Sequence, residues 1–334
     1  MYQSLVFVTG STGFIGSQVV AATLRAGYRV RLSIRKPEQE AALKARYAEL
    51  SDKIEICIIP DLSRPGAFDD ALVGVDYVFH IASPMPGKGT DIKRDYVDPA
   101  VQATTSILQA ALTFKQVKKV VIVSSILALA PLNAIITNSV DVKENTGQVI
   151  PVDLSMDFPE GFVGEVLKYS ASKILAHQAT RDFLAANSPH YSVITLHPVF
   201  VLGDSMIQQT ASELDSINGL FWKSLFTEKP QLSSTWVHVR DVADAHVKVL
   251  ETDVKSGTEF ILSRPATSWE EVASFVKSKY PALGCQLQPP FESGWTVETT
   301  GAEQNLGIKW RSEWEIVEDV VNQQLALQAK ASSL

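Results

Sequence analysis

Val8-Thr9-Gly10-Ser11-Thr12-Gly13-Phe14-Ile15-Gly16-Ser17 (VTGSTGFIGS) follows a short apolar run, Leu5 to Thr9. It leads into Gly13 to Ala26, where apolar residues recur at near-helical spacing. Strand, glycine-rich turn and helix, in that order at the start of the chain, read as a phosphate cradle. Gly10 allows a tight turn, Gly13 lets the backbone approach a pyrophosphate, and Gly16 lets the helix lie close on the strand. The helix start adds free N–H groups and the positive end of a dipole. The spacing, G-x-x-G-x-x-G, differs by one residue from the G-x-G-x-x-G fingerprint. The alternative is a glycine turn with no ligand.

Outward from the loop, strand and helix patterns alternate. Gly27 ends the first helix as a C-terminal cap. Strands are expected at Arg29 to Arg35, Lys53 to Ile59, Tyr77 to Ile81, Lys119 to Ser124 and Tyr191 to Leu196, with helices over 39–50, 95–114 and Lys168 to Asn187. The strands are nearly all apolar, as in a parallel sheet covered by helices on both faces. The expected fold is α/β, a Rossmann-type doubly wound parallel sheet with a smaller C-terminal substrate-binding cap. Residues 1–200 would bind the dinucleotide, with 236–252 returning to that domain, and 201–334 would form the smaller region. Beyond residue 200 a strand or turn at Trp236 to Val239 precedes a helix from Asp241 to Glu251. Ser268 with Glu271, and Ser312 with Glu315, have capping-box spacing, and 281–301 reads as irregular.

The chain has 334 residues, 46% hydrophobic and 20% charged, which suits a soluble globular protein with a core that needs no disulfide. A net charge of −7 argues against nucleic acid or an anionic membrane as partner. Cys57 and Cys285 stand far apart with no metal-ligand spacing, so they read as apolar fillers and no metal is expected. MYQSLVFVTG lacks the basic start of a signal peptide, no apolar run reaches ~18 residues, and KASSL carries no lipidation signal. A cytoplasmic protein acting on a small molecule is expected, monomer or homodimer.

The second strand ends Ser33-Ile34-Arg35-Lys36. A carboxylate at that point would bind a ribose 2′-hydroxyl, whereas an arginine accommodates a 2′-phosphate. Arg35 therefore favours NADP(H), against the alternative that both cations are simply solvated. Asp61 and Leu62 follow the third strand, where adenine needs an acceptor. Ala82, Ser83 and Pro84 follow the fourth, where small residues allow close approach to ribose.

Residues 169–173 read YSASK. A Tyr and a Lys four apart share a helical face. The lysine ammonium would stabilise a phenolate and lower the tyrosine pKa, so that the phenol could protonate a carbonyl oxygen as hydride arrives. At the end of the fifth strand, alternation points Ser124 and Ser125 in opposite directions, so only one can hold the substrate oxygen. Ser125 is preferred.

TGSTGFIG, the paired serines, YSASK and HPVFVLG together make the chain resemble an extended short-chain dehydrogenase/reductase. VFHIASPM, VDPAVQATTSIL and STWVHVRDVADAHVKVLE resemble the branch of dihydroflavonol 4-reductase, cinnamoyl-CoA reductase and the yeast methylglyoxal (aldehyde) reductases. The resemblance implies NADPH-dependent, reversible reduction of a ketone or aldehyde by Ser125, Tyr169 and Lys173. It implies a cofactor held by Thr9, Gly10, Thr12, Gly13, Phe14, Ile15 and Gly16, by the segments already named, and by Tyr169 and Lys173. His197, Pro198, Val199 and Val201 would line the nicotinamide side. The stretch Ala100-Val101-Gln102-Ala103-Thr104 departs from the Asn-Val-x-Gly-Thr of many extended members.

Residues 131–165, polar and glycine-dotted, read as a substrate-facing lid, and 204–235 as the other wall. Met85, Ile126, Phe200 and Trp222 are substrate candidates; Trp222, with Phe221 and Phe226, is equally readable as core. His80, His238 and His246 are assigned to packing and capping. Two other functions fit the loop: a nucleotide-sugar epimerase or dehydratase with retained NAD, and an NADP-sensing regulator without turnover. Arg35 weighs against the first and the intact Tyr–Lys pair against the second.

Overall fold

The computed structural model describes residues 3–87, 89–137, 140–214, 216–292 and 294–332. Met1 and Tyr2, Asn138 and Ser139 of the expected lid, Asp215 of the expected wall and the last two residues of KASSL lie outside the described residues.

Among the described residues, seven parallel strands form the central sheet. They are β1 (Leu5–Thr9), β2 (Arg29–Ile34), β3 (Ile54–Ile58), β4 (Tyr77–His80), β5 (Lys119–Val123), β6 (Ser192–Pro198) and β7 (Glu259–Leu262). Their order is β7-β6-β5-β4-β1-β2-β3. The crossovers carry α1 (Phe14–Arg25), α2 (Gln39–Arg46), α3 (Asp98–Ala111) and α4 (Phe162–Asn187). Strand alternation divides the core. Val6 and Val8 of β1 join the cluster beneath α1, while Leu5 and Phe7 join the one that holds Ile107 of α3. β1 pairs with both β2 and β4, so the order reverses there and a crevice opens above Thr9 and His80.

The rest of the chain supplies α5 (Ser216–Ser224), α6 (Val239–Glu251), α7 (Trp269–Lys279) and α8 (Glu313–Ser332). α6 packs on α1 of the sheet domain. A separate apolar cluster forms around Phe221, Trp236 and Trp269, whose rings lie 5.2–6.0 Å apart between centroids, and takes in Ile316 and Val320 of α8. Both capping boxes form: Glu271 N donates to Ser268 Oγ, and Glu315 N to Ser312 Oγ.

Several expectations are corrected. β7 has no counterpart in the sequence reading; the strand is only four residues long, a glutamate followed by three apolar residues. α4 begins at Phe162 rather than Lys168, because Gly161, with φ +78°, turns the chain directly into the helix. The stretch 281–301 is not wholly irregular: Trp295–Val297 pairs in parallel with Val140–Val142. That pairing, with Asn145 bonded to Glu259, ties 140–145 of the expected lid to the sheet edge. Residues 146–161 remain without helix or strand, and Val149, Phe162 and Val163 are exposed. No helix of the described residues is long and apolar enough to cross a membrane.

Candidate active site

The glycine loop closes on itself through Gly13 N, which donates to Gly10 O at 3.1 Å. Gly10 has φ +74°, and a Cβ there would meet the Ala82 backbone at 2.8 Å. A Cβ on Gly16 would stand 2.0 Å from Gly10 O, so Gly16 is required by the close contact of helix and turn. Gly13 differs: a Cβ would meet only Gly10 O, at 3.4 Å, which the protein itself tolerates. Packing within the protein therefore does not require a glycine at 13. α1 has no side-chain N-cap and no acid in its first turn, so its leading N–H groups and dipole are available to an anion. These features fit a dinucleotide pyrophosphate.

Thr9 is wholly buried. Its Oγ1 accepts from Ile81 N and Ala82 N, both at 3.1 Å, and contacts His80 Nδ1. It thus fastens the Ala82–Pro84 wall to the loop rather than facing the crevice. Thr12 on the loop, and Phe14 and Ile15 at the start of α1, are half-buried. Arg35 and Lys36 are exposed, and among the described residues no carboxylate pairs with either. Their backbone N–H groups both donate to Gln39 Oε1, at 3.0 and 3.1 Å. Gln39 is passed over in the sequence; its signal is its place at the first helical position after Pro37. Asp61 is exposed and accepts from Ser63 N and Oγ, which lower its pKa, and Leu62 lies half-buried beside it.

Tyr169 and Lys173 lie a turn apart on α4, with Lys173 Nζ 5.5 Å from the centroid of the Tyr169 ring. Ser125, two residues after β5, accepts from Leu127 N and stands near enough to the Tyr169 phenol to act on its pKa. Ser124 turns the other way, into a small cavity beside Lys173. Burial pushes the Tyr169 phenol up to about 12, against a lowering by Ser125. Burial also pushes Lys173 down to about 8. The expected lowering at Tyr169 is absent in the protein alone, because desolvation prevails and the ammonium sits over the ring.

His197 is wholly buried. Its Nδ1 contacts Ser125 O and its Nε2 contacts Thr195 Oγ1, both at 3.0 Å. A carbonyl only accepts, so Nδ1 carries the proton. This histidine braces Ser125 from behind and does not itself line the crevice. Pro198, Val199 and Val201 are buried after it, and Phe200 is half-buried. Ile126 is buried beside Ser125 and Met85 is exposed. Trp222 lines a different pocket, with Phe226, Tyr280 and Leu325, that includes none of the crevice residues. The helical repeat of α5 turns it away, while Phe221 enters the cap core.

His80, neutral because burial lowers its pKa to about 3, is a strut. His238 caps α6 by accepting from Arg240 N. Asp241 and Asp244 both bind Arg311. Asp204, His238 and Asp319 lie close enough for a cation, but the Arg240 guanidinium already bridges both carboxylates. Cys57 and Cys285 are free and half-buried.

Three comparisons match this architecture. The family described as "NAD dependent epimerase/dehydratase family" matches residues 6–262. Ketoreductase sphI of Aspergillus fumigatus is 38% identical over 335 residues, covering 97% of this chain and 98% of the relative. A putative NADPH-dependent methylglyoxal reductase of Candida albicans, GRP2, is 30% identical, covering 95% and 97%. The crystal structure of Gre2 from Candida albicans in complex with NADPH aligns with TM-score 0.80 at 26% identity, over 97% of this chain and 99% of that one.

Proposed function

The chain belongs to the NAD-dependent epimerase/dehydratase family, the extended short-chain dehydrogenase/reductases, and from that membership we propose that it is an NADPH-dependent carbonyl reductase acting through Ser125, Tyr169 and Lys173. One observation carries the mechanism: Ser125, Tyr169 and Lys173 meet in one spot beside the crevice. NADPH, when bound, supplies the hydride that reaches the carbonyl carbon. Gly10, Gly13 and Gly16 with the start of α1 would hold its pyrophosphate, Arg35 its 2′-phosphate, and Ala82 to Pro84 the ribose side. Ser125 Oγ and the Tyr169 phenol are two donors that converge on the carbonyl oxygen. Tyr169 gives its proton to that oxygen, and Lys173 stabilises the phenolate left behind. In oxidation Tyr169 takes the proton back.

The sheet half would hold the cofactor and the region from 201 onward would shape the substrate cleft. Small-to-medium aldehydes and ketones of apolar character suit the Ile126 and Phe200 wall. The test is NADPH oxidation with a panel of such compounds. Turnover is expected with NADPH, and Tyr169→Phe is expected to cut it by about 10²–10⁴ while leaving NADPH affinity intact. Copurified NAD without NADPH turnover, or full activity in a folded Tyr169→Phe protein, would overturn the proposal.

A further inference from the structure

One face of α4 carries Tyr169, Lys173, His177 and Arg181, each a helical turn beyond the last. The first two belong to the reaction centre; the other two have no part in it so far. Beside Lys173 lies a cavity of about 20 Å³, bounded among others by His80, Thr104, Ser124, Thr195 and His177. That is room for one water, among polar groups able to bind it. His177 is 5% exposed. Its Nε2 lies 3.0 Å from Glu259 Oε1. A carboxylate only accepts, so Nε2 carries the proton and Nδ1 is left as a bare acceptor. Nδ1 is buried and has no hydrogen-bond partner.

Glu259 is fixed as an anion. Burial opposes its charge, but the hydrogen bonds of His177 and Arg181 outweigh it and hold the carboxyl at about 2. Arg181 Nε and Nη2 donate to Oε1 at 2.8 and 2.6 Å, and Asn145 N donates to Oε2 at 2.8 Å. An oriented imidazole backed by a carboxylate is built to take and return a proton.

We propose that His177, oriented by Glu259, is a positioning residue that exchanges protons with Lys173 through a water held in this cavity. The inference rests on the carbonyl-reductase reading. Each reduction takes one proton from Tyr169. Lys173 returns one to the phenolate; His177 Nδ1, a bare acceptor at rest, takes a proton from solvent through the cavity and passes it on through the water to Lys173, so both end as they began. The groups facing His177 are Lys173 and Arg181 on its own helix, Glu259 on β7, the His197 ring at 4.6 Å on β6 and His80 across the cavity; α3 contributes only uncharged Ala100 and Thr104. Burial keeps His80 and His197 neutral, leaving Lys173, Arg181 and Glu259 as the charges that bias the exchange.

The exchange resets the enzyme, so it is needed after the first turnover and not during it. His177→Gln keeps an amide for Glu259 and removes the ring nitrogen from the cavity; His177→Asn is the second variant should the first fold poorly. Both are read by stopped-flow NADPH oxidation, in H₂O and D₂O across neutral pH, with the fastest-turning aldehyde of the panel. The first turnover is expected to stay near the wild-type rate. Later turnovers should slow roughly ten-fold, a fraction of the usual acid–base contribution, with a larger solvent isotope effect. Equal slowing of the first and later turnovers means a structural role and overturns the proposal, as does no slowing of either. Failure of the underlying reading looks different: the wild type would not oxidise NADPH at all, or Tyr169→Phe would remain active.

Discussion

Lys173 is a buried cation whose pKa falls from 10.5 to about 8 by desolvation. Below about pH 8 it is charged in both folded and unfolded chains, and the folded state bears the full cost. As pH rises from about 8 to about 10.5, the folded lysine is neutral while the unfolded one is still charged, and the cost is relieved. Lys173→Met is therefore expected to raise stability near neutral pH, by on the order of 3 kcal/mol at most, while cutting turnover. Urea unfolding at neutral and strongly alkaline pH checks it: the gain should shrink at the higher pH. Arg35 poses the opposite case, an exposed cation with its backbone pinned by Gln39. Arg35→Asp should weaken NADPH roughly ten- to a hundred-fold, the worth of a charge-assisted hydrogen bond, and leave NADH little changed. Equal loss of both in equilibrium titrations would remove the 2′-phosphate assignment.

The turn between β1 and α1 separates two kinds of glycine. Gly16→Ala sets a Cβ against Gly10 O at 2.0 Å, so turn and helix must part. That variant should lose both thermal stability and NADPH affinity. Gly13→Ala meets Gly10 O only at 3.4 Å, and should melt near the wild type without cofactor yet bind NADPH poorly. Paired melting curves and titrations decide it; normal NADPH binding by Gly13→Ala would move the pyrophosphate elsewhere. At the sheet edge, β7 is short and begins with a buried glutamate. It persists because Arg181, His177 and Asn145 satisfy that carboxylate.

The whole molecule sets a sheet domain against a cap built on Phe221, Trp236 and Trp269, and the reaction centre belongs to the sheet side. Exchanging Val149, Phe162 and Val163, which are exposed in and next to the irregular stretch after Asn145, should change KM among aldehydes and ketones without changing NADPH affinity. Trp222→Ala should alter neither, since its pocket is lined by Tyr280 and Leu325. A KM shift in that variant would return Trp222 to the substrate wall. Much of this was legible in one dimension. Gly10, Gly13 and Gly16 answer a backbone requirement within a few residues, Tyr169 and Lys173 a helical repeat, and Ser124 and Ser125 a strand alternation; such local geometry is written directly into spacing. The near-continuous apolar runs of β1 to β6 likewise announced a doubly covered sheet. What only the tertiary structure decided joins residues far apart: the His177–Glu259 pair across 82 positions, His197 behind Ser125 across 72, β7 at the sheet edge and Trp222 in a separate pocket. No periodicity encodes which distant carboxylate a buried histidine will meet, because that is fixed by how whole elements pack.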